Sequence, residues 1–435
     1  MGAYVREARI LLSSTRIVSS YNTGPPAVQD RSGRANAPMP HPKRYDQDSR
    51  IAMNILLIST CDYLHHPVPS RHHAIFEELA TRHAVHVPHF HVSQGEARET
   101  RLTVHEATRF PVQKPLLHYT LNAPCHYRVI REIIRDHGID LVTGAHVLAG
   151  TAMVRAARKY GVPVVFDLSD WFPDSAAAYY RNRGLVWLIR NGVYAITRYN
   201  LDHSDRITTV SPGLVTKLRR LGYETTLVTN GVDTDFFKPM DGRQQRAALG
   251  IDADAFVIGF AGAVERWYAL DELIRALPAI LERRDDACLL IVGGSLFTDY
   301  QDELKRLAAR LGVADRVVFT GTVAYRALPA YIAPMDVCTI PLAPPQWVDI
   351  ALPNKFFEYS ACGKPILSTP IPDVIGMGGG HLFIYRDRDE FVRITGELME
   401  RSPRYDIRIE EHSWKNKARE FEAIFTSVLA EKGSR

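Results

Sequence analysis

Phe256-Val257-Ile258-Gly259-Phe260-Ala261-Gly262 is a continuous apolar run ending on a glycine, and it opens a second series of alternating elements. A strand buried on both faces reads as such a run. Downstream, the pattern predicts helices over 270–283, 299–311, 325–333 and 354–362. Between them fall strand-like runs at 287–293, 316–320, 337–340 and 365–368. Upstream, a first series places strands at 54–59, 85–90, 139–143, 162–167, 206–210 and 225–229. Helical stretches at 72–82, 127–137, 150–160 and 212–221 alternate with them, and 230–255 reads as a polar, loop-like connection. The expected fold class is α/β, with two Rossmann-like, doubly wound domains facing a cleft. Ligands of such sheets bind at the carboxyl ends of the strands.

The chain has 435 residues, which suits two domains of roughly 150–200 residues each. With 46% hydrophobic and 23% charged residues, its composition is that of a soluble globular protein. A net charge of +4 is compatible with anionic ligands or lipid surfaces and does not call for nucleic acid. The five cysteines are scattered, with no CxxC pair, which suggests reduced thiols in a cytosolic setting. No apolar run reaches membrane-spanning length. Residues 1–52 are rich in Arg, Ser, Pro and Gly. They are expected to be a disordered extension or to lie upstream of the true start, Met53, with a cleaved transit peptide as the alternative.

The stretch Pro353-Asn354-Lys355-Phe356-Phe357-Glu358-Tyr359-Ser360-Ala361-Cys362-Gly363-Lys364-Pro365 carries the chemistry. Pro353 sits where a helix tolerates it, at the start, and Gly363 supplies a stop. A helix N-terminus offers free N–H groups and partial positive charge to an anion. Lys355 adds a full charge there, and Glu358 lies on the same side one turn on, able to accept hydroxyl protons. A phosphate grip beside a hydroxyl grip fits a nucleotide-sugar diphosphate.

Thr229-Asn230-Gly231-Val232-Asp233-Thr234-Asp235-Phe236-Phe237-Lys238-Pro239 resembles the interdomain signature of retaining GT-B glycosyltransferases, particularly family 4. The 353–365 helix resembles their donor-binding helix. His412-Ser413-Trp414 resembles the start of the terminal helix that crosses back onto the N-terminal domain. The resemblance implies an acceptor domain over 53–228, completed by 412–431, and a donor domain over 229–411. It also implies transfer of a sugar from a nucleotide-diphosphate donor to a hydroxyl with retention, in a polysaccharide, glycolipid or glycoside pathway. No cofactor or metal is expected, because helix dipole and basic side chains hold the diphosphate. Asp233-Thr234-Asp235 and Asp387-Arg388-Asp389 imitate a metal-binding DxD, but read as linker and surface charge. The family's usual glutamate eight positions before Glu358 is replaced by Ile350, with Asp349 beside it. That departure motivates an alternative: a non-catalytic nucleotide-sugar-binding subunit. An epimerase on the same fold is a third reading.

By the same resemblance, Gly262, Arg266, Gly293, Pro353, Asn354, Lys355 and Glu358 are the donor-binding candidates. Lys355 and Arg266 would stabilise the leaving diphosphate, which can itself take the acceptor's proton. Arg266 has a plainer reading as an exposed loop arginine. Asp170, in Asp167-Leu168-Ser169-Asp170-Trp171, would orient the acceptor or receive its proton, or else cap a helix. Arg71, His72 and His146 are the acceptor-side candidates.

The loop after the first strand holds Tyr63 to Ser70 and no GxGxxG, which argues against a nicotinamide enzyme. Eight histidines lie between His65 and His91; zinc is one reading and solvated side chains the favoured one. Gly376-Met377-Gly378-Gly379-Gly380 reads as a turn. Tyr179 to Arg190 mixes arginines with aromatic and aliphatic residues, suiting either an anionic membrane or the surface of the N-terminal domain. The expected location is cytoplasmic, with peripheral contact at the inner face of a membrane.

Overall fold

The computed structural model describes residues 52–434 apart from 178–181, 296–297, 344–347, 402–404, 406 and 408. The expectation for residues 1–51, and that for Tyr179, Tyr180 and Arg181, fall outside the described residues. The first sheet is built from β1 (Asn54–Ile58), β2 (Ala84–His89), β3 (Thr103–Glu106), β4 (Leu141–Gly144), β5 (Val164–Leu168), β6 (Arg206–Thr209) and β7 (Thr226–Leu227). Its helices are α1 (Arg71–Leu79), α2 (Pro115–Leu121), α3 (Ala123–Asp136), α4 (Val147–Tyr160), α5 (Phe172–Ala177), α6 (Arg183–Asp202) and α7 (Pro212–Arg220). All pairings are parallel, in the order β3-β2-β1-β4-β5-β6-β7.

After α8 (Arg243–Ala248) come β8 (Val257–Ala261), α9 (Leu270–Leu281), β9 (Cys288–Val292), α10 (Tyr300–Arg310), β10 (Val317–Gly321) and α11 (Leu328–Ile332). The series continues with β11 (Val337–Ile340), α12 (Asn354–Ala361), β12 (Ile366–Ser368), α13 (Pro372–Met377), β13 (Leu382–Ile384) and α14 (Arg388–Arg401). The second sheet is parallel too, ordered β10-β9-β8-β11-β12-β13. Both sheets reverse direction of winding beside their first strand, and such a switch point opens a crevice at the strands' carboxyl ends.

The last helix, α15 (Trp414–Gly433), begins with Ser413 Oγ accepting from Asn416 N at 3.3 Å. It lies on α1: Phe421 and Phe425 pack as tilted rings against Phe76 at 6.1 and 6.3 Å between ring centroids. Burying those three rings draws on the largest apolar areas a side chain offers. The linker at Val232 is pinned to the start of this helix, with Val232 N donating to His412 O and Trp414 N to Val232 O. Asp233 Oδ1 accepts from the backbone N–H of Asp235 and Phe236, and Asp235 pairs with Lys415 at 2.6 Å. Asp387 Oδ1 accepts from Glu390 N at the start of α14.

Several elements differ from the sequence reading. The four residues of β3, Thr-Val-His-Glu, are too few and too polar to register as a strand, yet they pair with β2. Gly376 lies inside α13 and not in a turn, and α8 interrupts the connection 230–255. The solvated histidines are a correction: His72, His73, His83, His86 and His89 are all buried. The reason is long-range pairing. His83, for example, receives Met53 N on Nδ1 and meets Glu422 through Nε2 at 3.1 Å. Cys288, Cys338 and Cys362 are buried free thiols. Among the described residues no helix is long and apolar enough to cross a membrane.

Candidate active site

The switch point of the second sheet brings three backbone features together. Gly262 follows β8 with φ +148°, and Gly293 follows β9 with φ +131°. A Cβ on Gly293 would run into the carbonyl oxygen of Gly262, and a Cβ on Gly262 into Lys355 Nζ. Only glycine tolerates this packing at these dihedrals. The gap so kept open is occupied by the lysine.

Lys355 lies in the first turn of α12, whose N-cap, Pro353, is extended at φ −72° and ψ 144°. Its Nζ donates to the Tyr268 hydroxyl at 3.0 Å and stands 4.5 Å from the centre of that ring and 5.3 Å from that of Phe260. A cation over two aromatic faces is held without being neutralised. The helix itself is locked by Tyr359, whose buried hydroxyl receives Ala261 N at 2.8 Å and donates to Ala261 O. Phe356 and Phe357 fill the core beneath. One turn on, burial pushes the Glu358 carboxyl up to about 7, and the charge of Lys355 only partly offsets this. A carboxyl poised there can exchange its proton for hydrogen bonds from a diol.

Arg266 is placed elsewhere. Its guanidinium is exposed, pairs with Glu303, lies 4.0 Å from Asp299 and stacks on Tyr300. The structure therefore brings Gly262, Gly293, Pro353, Asn354, Lys355 and Glu358 together and leaves Arg266 turned toward α10.

In the other domain Asp170 follows β5, and its Oδ1 receives Trp171 N at 2.7 Å at the shoulder of α5. Burial raises its carboxyl above the usual range. His146 caps α4 by accepting Ala149 N at 3.1 Å; burial holds its ring at about 3, so it is neutral. Arg71 and His72, two of the acceptor-side candidates, are both buried within the protein. Asp167 Oδ2 is 3.1 Å from Arg71 Nε and from His72 Nε2, while Thr208 Oγ1 donates to its Oδ1. Arg71 also donates to Val228 O and Asn230 Oδ1. These two side chains join α1 to β5, β6 and the linker.

The two domains meet at α7. Ser211 Oγ donates to Ile350 O at 2.8 Å, and Gly213 N donates to the Asp373 carboxylate at 2.9 Å. A Cβ on Gly213 would collide with Asp349 O. Ile350 packs against the N-terminal core, whereas Asp349 is exposed. Tyr268, Tyr359 and Asp373 are the residues the sequence reading missed. Their contacts reach across 87, 98 and 160 positions of the chain, and no local pattern signals them.

Residues 73–236 match the family model described as Glycosyltransferase Family 4, and residues 255–401 that described as Glycosyl transferases group 1. The chain is 39% identical over 142 residues to a GDP-mannose-dependent alpha-(1-6)-phosphatidylinositol monomannoside mannosyltransferase of Mycolicibacterium smegmatis, covering 32% of this chain and 36% of that one. It is 31% identical over 253 residues to a D-inositol 3-phosphate glycosyltransferase of Nocardiopsis dassonvillei, covering 54% and 55%. The chain thus spans about a third to about three-fifths of the length of the curated relatives it matches. Among solved structures, sucrose-phosphate synthase of Thermosynechococcus elongatus superposes with a TM-score of 0.65 at 16% identity, covering 88% and 98% of the two chains. Anabaena HepE, in complex with UDP and glucose, superposes with a TM-score of 0.60 at 19% identity over 88% and 98%.

Proposed function

From a chain that belongs to the family 4 and group 1 glycosyltransferases and has their GT-B fold, we propose transfer of a glycosyl group from a nucleotide-diphosphate sugar to a hydroxyl, with retention. The observation that carries this reading is Lys355. Its ammonium, which makes no ion pair within 4 Å among the described residues, stands against the Gly262 backbone, at the start of α12, with Glu358 one turn away. The diphosphate would lie across the free N–H groups of α12 and Lys355 Nζ, and the ribose hydroxyls would donate to Glu358.

As the glycosidic bond to the diphosphate breaks, negative charge develops on the leaving oxygen, and the lysine meets it there. The same leaving oxygen would accept the proton of the attacking hydroxyl on the face it vacates, so no protein nucleophile enters. Asp170 would orient the acceptor. Arg266 would join the phosphates only by exchanging Glu303 for them. The two relatives described above are named for activity on inositol phosphate and a phosphatidylinositol mannoside, which supports a polyol or lipid-linked acceptor. Neither donor nor acceptor site calls for nucleic acid.

The test is a thermal-shift series with UDP-, GDP-, ADP- and dTDP-sugars, followed by product analysis with polyol acceptors. A micromolar donor at millimolar concentration adds about 4 kcal/mol of stability. Absence of any shift refutes the donor site. A donor shift without transfer or hydrolysis would favour the second reading, a nucleotide-sugar-binding subunit. The packing of Ile350 into a core, where the family carries a glutamate, is what favours that reading.

A further inference from the structure

Three side chains at the carboxyl ends of β1 and β2 converge outside the proposed donor site. Asp62 and His65 lie in the loop after β1, and His89 is the last residue of β2. His65 Nδ1 and His89 Nε2 are 3.1 Å apart. Asp62 Oδ1 is 3.4 Å from the first and 3.3 Å from the second. The three atoms form a nearly equilateral face. Ligands at roughly 2.0–2.1 Å around a tetrahedral ion are separated by roughly 3.3–3.4 Å, so one ion can satisfy all three at once.

The supporting contacts are those that fix metal ligands. His89 turns its other nitrogen, Nδ1, to Glu106 Oε2 at 2.9 Å, which sets the tautomer that presents Nε2. Asp62 Oδ2 receives Val92 N and Ser93 N, both at 3.0 Å, and Oδ1 receives His65 N at 2.9 Å. Asp62 is fully buried and His89 nearly so, while His65 keeps 15% of its side chain exposed. The exposed ring of His91 stacks on those of His65 and His89 at 4.7 and 5.2 Å. A divalent ion would also balance the two carboxylates, Asp62 and Glu106, that flank His89.

We propose that Asp62 Oδ1, His65 Nδ1 and His89 Nε2 bind one zinc-type divalent cation, leaving a coordination position for water or an oxygen ligand. Two imidazoles and one carboxylate suit Zn2+ and its first-row neighbours, and not Mg2+ or Ca2+. The site is independent of the glycosyl-transfer reading and lies in the other domain from Lys355.

A second cluster, His86, His105 and His137, has ligand atoms equally close together, so His105→Ala tells the two places apart. Full-length protein without an affinity tag is loaded with Zn2+, dialysed against metal-free buffer, and its zinc is counted by mass spectrometry. Wild type should retain about one zinc per chain. His65→Ala should lower zinc affinity at least roughly 100-fold, and Glu106→Gln roughly 10–100-fold, since a histidine's outer partner has that effect. His105→Ala should bind as wild type does. Co2+ in place of Zn2+ should give the visible bands of a four-coordinate nitrogen–oxygen site in wild type and lose them in His65→Ala. His65 is a partly exposed loop residue, and circular dichroism confirms that each variant is folded. Folded wild type that retains no zinc overturns the proposal. So does zinc retained by His65→Ala as by wild type, or binding that follows His105 instead.

Discussion

Lys355 Nζ and the Tyr268 hydroxyl are 3.0 Å apart, and the ammonium also lies over the tyrosine's ring. Tyr268 thus positions the cation without cancelling it, which a carboxylate in its place would do. Lys355→Ala should weaken nucleoside-diphosphate binding by about 1.5–3 kcal/mol, tenfold or more, as expected for a charged hydrogen-bond donor. Tyr268→Phe should cost less than Lys355→Ala. Calorimetric titration of UDP and GDP measures both; equal affinity in Lys355→Ala and wild type would remove the lysine from the site.

Glu358 links the site to pH. Its carboxyl is raised from 4.5 to about 7 in the folded chain, so the folded state holds a proton that the unfolded state has released. Stability contributed by that proton is full below pH 4.5 and declines as pH rises toward 7, on the order of 3 kcal/mol across the window. Glu358→Gln should therefore flatten this part of the stability–pH curve and stabilise the unliganded protein at pH 8, while weakening nucleotide binding. Urea unfolding of both proteins at pH 5 and pH 8 reads the difference; parallel curves would refute it.

Gly293→Ala tests the backbone crossing. The new methyl group meets Gly262 O at a positive φ, so the expected loss is about 1–3 kcal/mol of stability together with donor binding. A variant with unchanged melting and unchanged nucleotide affinity would show that the two strand ends need not touch.

Asp167 holds a different kind of dependence. Burial opposes its ionisation, but Arg71 and His72 outweigh that and keep the carboxyl below its usual range. Asp167→Asn leaves a buried guanidinium without its counter-charge, and removal of one partner of such a pair typically costs about 3–5 kcal/mol. Denaturant midpoints would fall accordingly, with the donor site intact wherever the variant remains folded.

The membrane expectation now rests on α6. Leu185, Trp187 and Leu188 are exposed there, Trp187 at 66%, while Arg190 is paired with Asp174 at 2.8 Å. A Trp187→Ser, Leu188→Ser double variant should lose sedimentation with anionic vesicles that wild type shows. If wild type itself stays in solution with such vesicles, α6 has no lipid role.

The two-sheet α/β plan was legible because most of its strands are continuous apolar runs, and the three-residue spacing of Lys355 and Glu358 by itself sets both on one helical turn. What stayed hidden was set by contacts distant in sequence. The five buried histidines looked solvated because partners such as Asp167 for His72, or Glu422 for His83, lie far along the chain. Arg266 lies in the loop after β8, and Glu303 one helix on decides where it points. Ile350 read as a missing acid; in three dimensions it is a contact between domains.

The seat of α15 on α1 has a temporal consequence. Phe76 is translated near the start of the first sheet, while Phe421 and Phe425 emerge only after every strand of the second. On the ribosome, the first sheet must wait with one aromatic face bare until α15 arrives. The first sheet's outer layer is therefore closed only by α15, and a chain stopped after α14 would carry two nearly finished sheets with a hydrophobic scar on the older one.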